Sequence, residues 1–211
     1  MTSSSANDLD TGPLLFTPIK IRGLVMRNRI IASPMCQYLS VDGAPNDWQL
    51  MHLGRLAIGG CGIVFGEETA VEPDGRKTHN CAGLYKQSHV ASYRKITDMI
   101  RSNGALPAIQ LGHSGRKGSC HDAMRDWRAL NNSDAENDLP PWQVMTPTAA
   151  LSPPRPIPHK EMDQDDINRV VDDFRTATKR SIDAGYDIVE IHGAHGYLIH
   201  QFLSEIGRAH V

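Results

Sequence analysis

The chain has 211 residues, 40% of them apolar and 22% charged, with a formal net charge of −2 at neutral pH. These are ordinary globular values, with material for one sizeable core. They leave no basic footprint for nucleic acid and no polybasic run for an anionic membrane surface, and no stretch approaches the ~18 consecutive apolar residues of a membrane span.

Residues 1–14 read as a disordered tail. The polar, acidic start from Met1 to Asp10 lacks the charged-then-apolar order of a secretory signal. Four scattered cysteines, Cys36, Cys61, Cys81 and Cys120, form no CxxC pair. They are expected as reduced thiols in a cytoplasmic protein.

From Leu15 the pattern becomes regular. Two short runs, Phe16 to Arg22 and Leu24 to Arg29, flank Gly23 and predict a small hairpin. The apolar run Ile30 to Met35 predicts a strand that Pro34 ends, because proline cannot donate to a ladder. Asn46 is placed to cap a helix whose apolar positions are Leu50, Met51, Leu53, Leu56 and Ala57, stopped by Gly59-Gly60. Gly62 to Thr69 predicts a second strand. Val90, Tyr93, Ile96, Met99 and Ile100 follow helical spacing up to Asn103-Gly104, and Ala105 to Leu111 predicts a third strand.

The stretch from Ser114 to Lys160 is long, polar and proline-rich, and a loop of that length in a compact domain is usually functional. It is expected to cross one face of the fold. Asp163 then opens a helix with Ile167, Val170, Val171, Phe174 and Ala177 on its apolar stripe, closed by Gly185. Asp187 to Ile191 predicts a fourth strand. Strands alternating with helices imply βαβ units and a parallel sheet. Periodicity does not choose between an open doubly wound sheet and a closed barrel, but no GxGxxG follows the first strand, which counts against a dinucleotide-binding fold.

Polar side chains cluster just after each predicted strand: Cys36, Gln37 and Tyr38; Glu67 and Glu68; Gln110 and His113; His192, His195 and Tyr197. In a parallel barrel the carboxyl ends of the strands share one face, and that face carries the active site. Taken singly, each group has a structural alternative. His192 and His195 suit a metal pair, although no third ligand stands at a recognisable spacing. Cys36 suits an isolated packing thiol, Tyr197 a core aromatic, and Gly115-Arg116-Lys117 a solvated turn.

Together these segments resemble one family. Pro34-Met35-Cys36-Gln37-Tyr38, Gly62-Ile63-Val64 leading to Glu67-Glu68-Thr69-Ala70-Val71, Ile109 to Lys117, and Val189 to Leu198 with Gln201-Phe202-Leu203-Ser204 are similar, in order and spacing, to four strand motifs of the old yellow enzymes. The match covers residues 15–204. Cys36 and the paired histidines suit the branch called thermophilic-like.

The resemblance implies an α/β fold, a (β/α)8 TIM barrel, and an FMN-dependent ene-reductase. NADPH or NADH would pass a hydride to FMN, and the flavin would pass it to the β-carbon of an enone or nitroalkene. The same resemblance assigns Pro34, Met35, Cys36, Glu68, Gln110 and His192 to the cofactor. It assigns Tyr38, His192 and His195 to the substrate, and Tyr197 to proton delivery. It implies no metal, and relatives that are often homo-oligomers. Two donors aimed at the substrate oxygen suit the charge that hydride addition builds there, and a phenol with an unperturbed pKa near ~10 holds its proton at neutral pH.

A complete barrel takes eight strands and about 250 residues, and only four strands are read here. The chain is therefore expected to be the N-terminal part of such a barrel. The family's flavin-contacting arginine and its phosphate loops belong to later strands. After Ser204 the family pattern is lost, and residues 205–211 are expected to be a non-native tail. Alternative readings are a dienoyl-CoA reductase or amine dehydrogenase of the same superfamily, or an inactive fragment.

Overall fold

A computed structural model describes residues 12–149 and 156–204. Most of the expected tail at residues 1–14, the end segment 205–211 and part of the proline-rich excursion lie outside the described residues. Of the tail, Leu14 already belongs to a 3-10 turn, Leu14–Phe16.

The hairpin forms as β1 (Ile19–Ile21) and β2 (Leu24–Met26), antiparallel across Ile21↔Leu24. The first parallel strand, β3 (Ile31–Ala32), is shorter than its apolar run. Helix α1 (Asp47–Ile58) starts at Asn46 with a reciprocal capping box. The Asn46 side chain accepts from the Trp48 N–H at 2.9 Å, and the Gln49 side chain accepts from the Asn46 N–H at 3.0 Å, so two otherwise orphaned donors are satisfied. Strand β4 (Ile63–Ala70), helix α2 (Val90–Ser102) and strand β5 (Leu106–Gly112) follow. The excursion carries 3-10 turns and a two-stranded parallel ribbon of β6 (Val144–Thr146) and β7 (His159–Glu161). Helix α3 (Gln164–Asp183) is capped by Asp163, strand β8 spans Ile188–Ile191, and a short helix α4 (Leu198–Leu203) closes the described chain.

The main sheet is parallel with the order β3-β4-β5-β8. Successive strands are therefore neighbours, with no reversal of order. A doubly wound sheet changes direction at a switch point, whereas a barrel adds each strand beside the last. The order settles the choice that periodicity left open. Helices α1 and α2 pack Leu53, Ala57, Ile96 and Ile100 against Ala32 and Val64 on the outer face. Tyr93 and Ala177 meet Ile109 and Leu111 in a second cluster. Ile63, Phe65 and Ala108 line the inner face, which Met26 of the hairpin covers. No described helix is long and apolar enough to cross a membrane.

One irregularity positions the site. The β4–β5 register shifts between Phe65 and Glu68, so that Phe65 pairs with Ala108 and Glu68 with Gln110. Such a bulge re-aims side chains. Glu68 stands on the inner face with Gln110, while Glu67 turns to the outer side. There it accepts from the Gln37 N–H at 2.8 Å and from Gln49 of α1 at 3.4 Å.

Candidate active site

The carboxyl ends of β3, β4, β5 and β8 bring most of the expected residues into one neighbourhood. His192 follows β8 directly, its N–H donating to the Leu111 carbonyl at 2.8 Å, and it is buried. Its Nδ1 accepts from the Ala194 N–H at 3.2 Å. This puts the proton of the neutral ring on Nε2, which lies 3.1 Å from His195 Nδ1. By the same logic His195, which is exposed, carries its proton on Nε2. Burial lowers the pKa of His192 and favours its neutral form.

Tyr197 completes the cluster. Its ring meets His192 edge-on at 4.9 Å between centroids and His195 at 6.2 Å. Burial foremost raises the Tyr197 pKa, against the pull of Lys77.

The turn that presents these three groups is strained and held. His195 has φ +57° and Gly196 φ +70°, and a non-glycine residue in the left-handed region persists only when its surroundings enforce it. Lys117 Nζ donates to the His195 carbonyl at 2.6 Å. Gln201, fully buried on α4, donates to the Gly196 carbonyl at 2.7 Å and accepts from the Arg116 N–H at 3.3 Å. The turn after β5 and the turn after β8 are thereby fastened together.

Around this cluster, Cys36 is half-buried, and burial pushes its thiol up to about 12, with Lys77 opposing. It is therefore a protonated thiol at neutral pH. Tyr38 takes a left-handed backbone, φ +55°, and its ring meets Trp127 of the excursion at 5.3 Å. Burial raises its pKa as well, with Cys36 adding to the effect. Glu68 pairs with Lys77, both buried. Burial opposes the Lys77 charge, but Glu68 outweighs it and holds the ammonium well above its usual pKa. Gln110 is half-buried and donates to Glu190 of β8 at 2.5 Å. Pro34 lines the concave inner face, a space of ≈ 590 Å³ shared with Phe65, Ile188 and Glu190. Met35 is more than half exposed and makes no part of the buried cluster.

The excursion does cross this face. Trp127 reaches Tyr38, and Trp142 meets His79 at 5.0 Å and Arg76 at 5.7 Å. Sequence reasoning missed Lys77, Trp127, and the fastening roles of Lys117 and Gln201. Trp127 lies in an irregular loop where no periodicity marks it, and Lys77 reads as one more surface lysine until Glu68 is turned inward to meet it.

Comparison with known proteins gives a consistent picture. Residues 14–208 match the NADH:flavin oxidoreductase / NADH oxidase family. The chain is 39% identical over 196 residues to the NADH:flavin oxidoreductase FG08077 of Gibberella zeae, covering 91% of this chain and 46% of that protein. It is 34% identical over 194 residues to the NADPH dehydrogenase of Bacillus subtilis, covering 91% and 52%. Among solved structures it is similar to morphinone reductase in complex with tetrahydroNAD, with TM-score 0.74, 25% identity, and coverage of 92% of this chain and 53% of that one. The chain spans about half the length of these relatives. Its four-stranded parallel sheet is thus part of a (β/α)8 barrel.

Proposed function

Since the chain belongs to the NADH:flavin oxidoreductase / NADH oxidase family, we propose that it carries the substrate-activating half of an FMN-dependent, NAD(P)H-driven reductase of activated C=C bonds. The observation that carries this reading is the mutual contact of His192, His195 and Tyr197 at the carboxyl end of β8.

The residues present suit a flavin. The Gln110 carboxamide, on the inner face in register with Glu68, offers both a donor and an acceptor, as the pyrimidine edge of an isoalloxazine requires. Pro34 lines the same face, and the uncharged Cys36 thiol adds no negative charge beside a ring that becomes electron-rich on reduction. Bound there, FMN would accept a hydride from NADPH or NADH and deliver it to the substrate's β-carbon.

The chain's own residues do the rest. His192 and His195 orient the substrate by donating N–H groups to its carbonyl or nitro oxygen, breaking their contact with each other to do so. Preorganised donors of this kind are each worth roughly 10²–10³ in rate. Tyr197 gives its proton to the α-carbon. Tyr38 and the excursion's Trp127 wall the substrate side and exclude water. Residues 15–204 are read as the N-terminal part of the FMN-binding barrel, the part that supplies these side chains.

The test is to add FMN to the purified protein, desalt it, and follow NADPH oxidation with 2-cyclohexenone under anaerobic conditions. Enone-dependent oxidation that falls by about 10²-fold in His192→Ala supports the reading. Retained flavin with no enone dependence would overturn it.

A further inference from the structure

The proposed function uses His192, His195 and Tyr197 but gives the buried ion pair beside them, Lys77 with Glu68, no part in proton transfer. Lys77 and Glu68 are 3% and 4% exposed, and Lys77 Nζ bonds directly to Glu68 Oε2. The other carboxylate oxygen, Oε1, is buried with no hydrogen-bond partner among the described residues. A pair of this kind is a poor source of stability, because apolar side chains of equal volume serve as well or better. Its location is therefore the feature that needs a reason.

Lys77 Nζ stands 5.2 Å from the centroid of the Tyr197 ring. The phenol is faced by groups from every surrounding element. Glu68 comes from β4, Lys77 and Cys81 from the segment after it, and Cys36 from the loop after β3. Lys117, after β5, lies 5.6 Å from the ring centroid, and His192 and His195 follow β8. The anion among them is Glu68, and Lys77 neutralises it. Lys77 lies nearer the ring than Lys117, and its long stem is buried where water cannot screen its charge.

Resting on the reading of Tyr197 as proton donor, we propose that Lys77, kept charged by Glu68, is the cation that stabilises the Tyr197 phenolate during proton delivery. The Oη–H bond of Tyr197 breaks, the proton forms a C–H bond at the substrate's α-carbon, and the negative charge stays on the phenolate whose ring the ammonium faces. Solvent then returns a proton to Oη. Lys77 touches no reacting atom, so it is a positioning residue that acts through Tyr197. Glu68 acts one step further back, holding Lys77 protonated against its burial.

The test is the titration of Tyr197 itself. The protein is labelled with 3-fluorotyrosine, and its 19F resonances are followed against pH, with that of Tyr197 assigned by its loss in Tyr197→Phe. Lys77→Met is expected to raise the Tyr197 midpoint by about one pH unit, and Lys77→Arg to restore it. The double variant Lys77→Met with Glu68→Gln leaves no uncompensated buried charge, and is expected to shift the midpoint the same way if the single variant does not fold. A midpoint unmoved in the folded methionine variant would overturn the proposal. The titration needs no flavin or substrate. Unmoved titration with intact enone reduction defeats this inference alone, and a shifted midpoint without enone reduction defeats the functional reading instead.

Discussion

The fastening of the turns after β5 and β8 can be broken at one atom, by Gly115→Ala. Gly115 has φ +55°, and a Cβ built there stands 2.6 Å from both Nε2 and Oε1 of Gln201. The left-handed backbone alone costs a non-glycine residue about 1 kcal/mol. Gln201 must also move, which sacrifices its 2.7 Å bond to the Gly196 carbonyl and weakens those to Ser114 and Arg116 at 3.4 and 3.3 Å. At about 1 kcal/mol for each buried hydrogen bond lost, the total is roughly 2–3 kcal/mol. Urea denaturation measures it as a lowered midpoint at unchanged slope. Gly23→Ala is the control, because among the described residues nothing lies within 4 Å of its Cβ, and a change within about 0.5 kcal/mol is expected. The consequence for function is specific: with the Gly196 carbonyl released, the left-handed pair His195–Gly196 loses its tie to Gln201 and keeps the Lys117 bond to the His195 carbonyl and the 2.7 Å bond from the Gly196 N–H to His200 Nδ1. A Gly115→Ala protein as stable as the control would refute the clamp.

Two further predictions concern the frame. Arg27 donates to the carbonyls of Ala57, Cys61 and Asn103 at 2.6–3.1 Å, tying the ends of α1 and α2 to the hairpin; Arg27→Met is expected to cost about 3 kcal/mol in urea denaturation, and a loss under about 1 kcal/mol would contradict that role. Burial alone would raise the Glu72 carboxyl, but His113 at 2.7 Å and Arg169 outweigh it and hold it below the ordinary 4.5. A depressed carboxylate stabilises the fold above its unfolded pKa and loses that contribution as pH falls through the folded one. The denaturation midpoint should therefore drop as pH falls below about 4.5, and Glu72→Gln should flatten that slope; parallel slopes for the two proteins would contradict the pairing.

Local signals in the sequence foretold the frame where they had a local cause. Asn46 caps the helix it is placed to cap, and Asp163, where the later helix is read to open, caps α3, each with the reciprocal bond from three residues on. The hairpin around Gly23 and the ends of β4, β5 and β8 fell within a few residues of the expected positions. The features that escaped are set by tertiary contacts. The strand over Ile30 to Met35 shrinks to two residues because its partner β4 pairs only across Ile31 and Ala32. Helix α4 is one and a half turns with no side-chain cap, too short for periodicity to reveal. The parallel ribbon joins Val144 to His159 across the excursion, a pairing no local pattern encodes. The candidate site was legible as a set of residue types after strands. What was not legible is the bulge that sends Glu67 outward and Glu68 inward, and with it the meeting of Glu68 with Lys77. Gln201 was visible only as part of a motif, and its clamp on Gly196 depends on where α4 docks.

The most direct test separates the two half-reactions by stopped-flow absorbance in the flavin-loaded protein. Tyr197→Phe removes the proposed proton donor and leaves in place His192 and His195, the proposed donors to ligand oxygens. NADPH is expected to bleach the flavin of this variant at close to the wild-type rate, while 2-cyclohexenone restores its colour about 10²-fold more slowly. Equal rates of recolouring in the two proteins would contradict the assignment of Tyr197 as proton donor and, with it, the proposed reduction at this site.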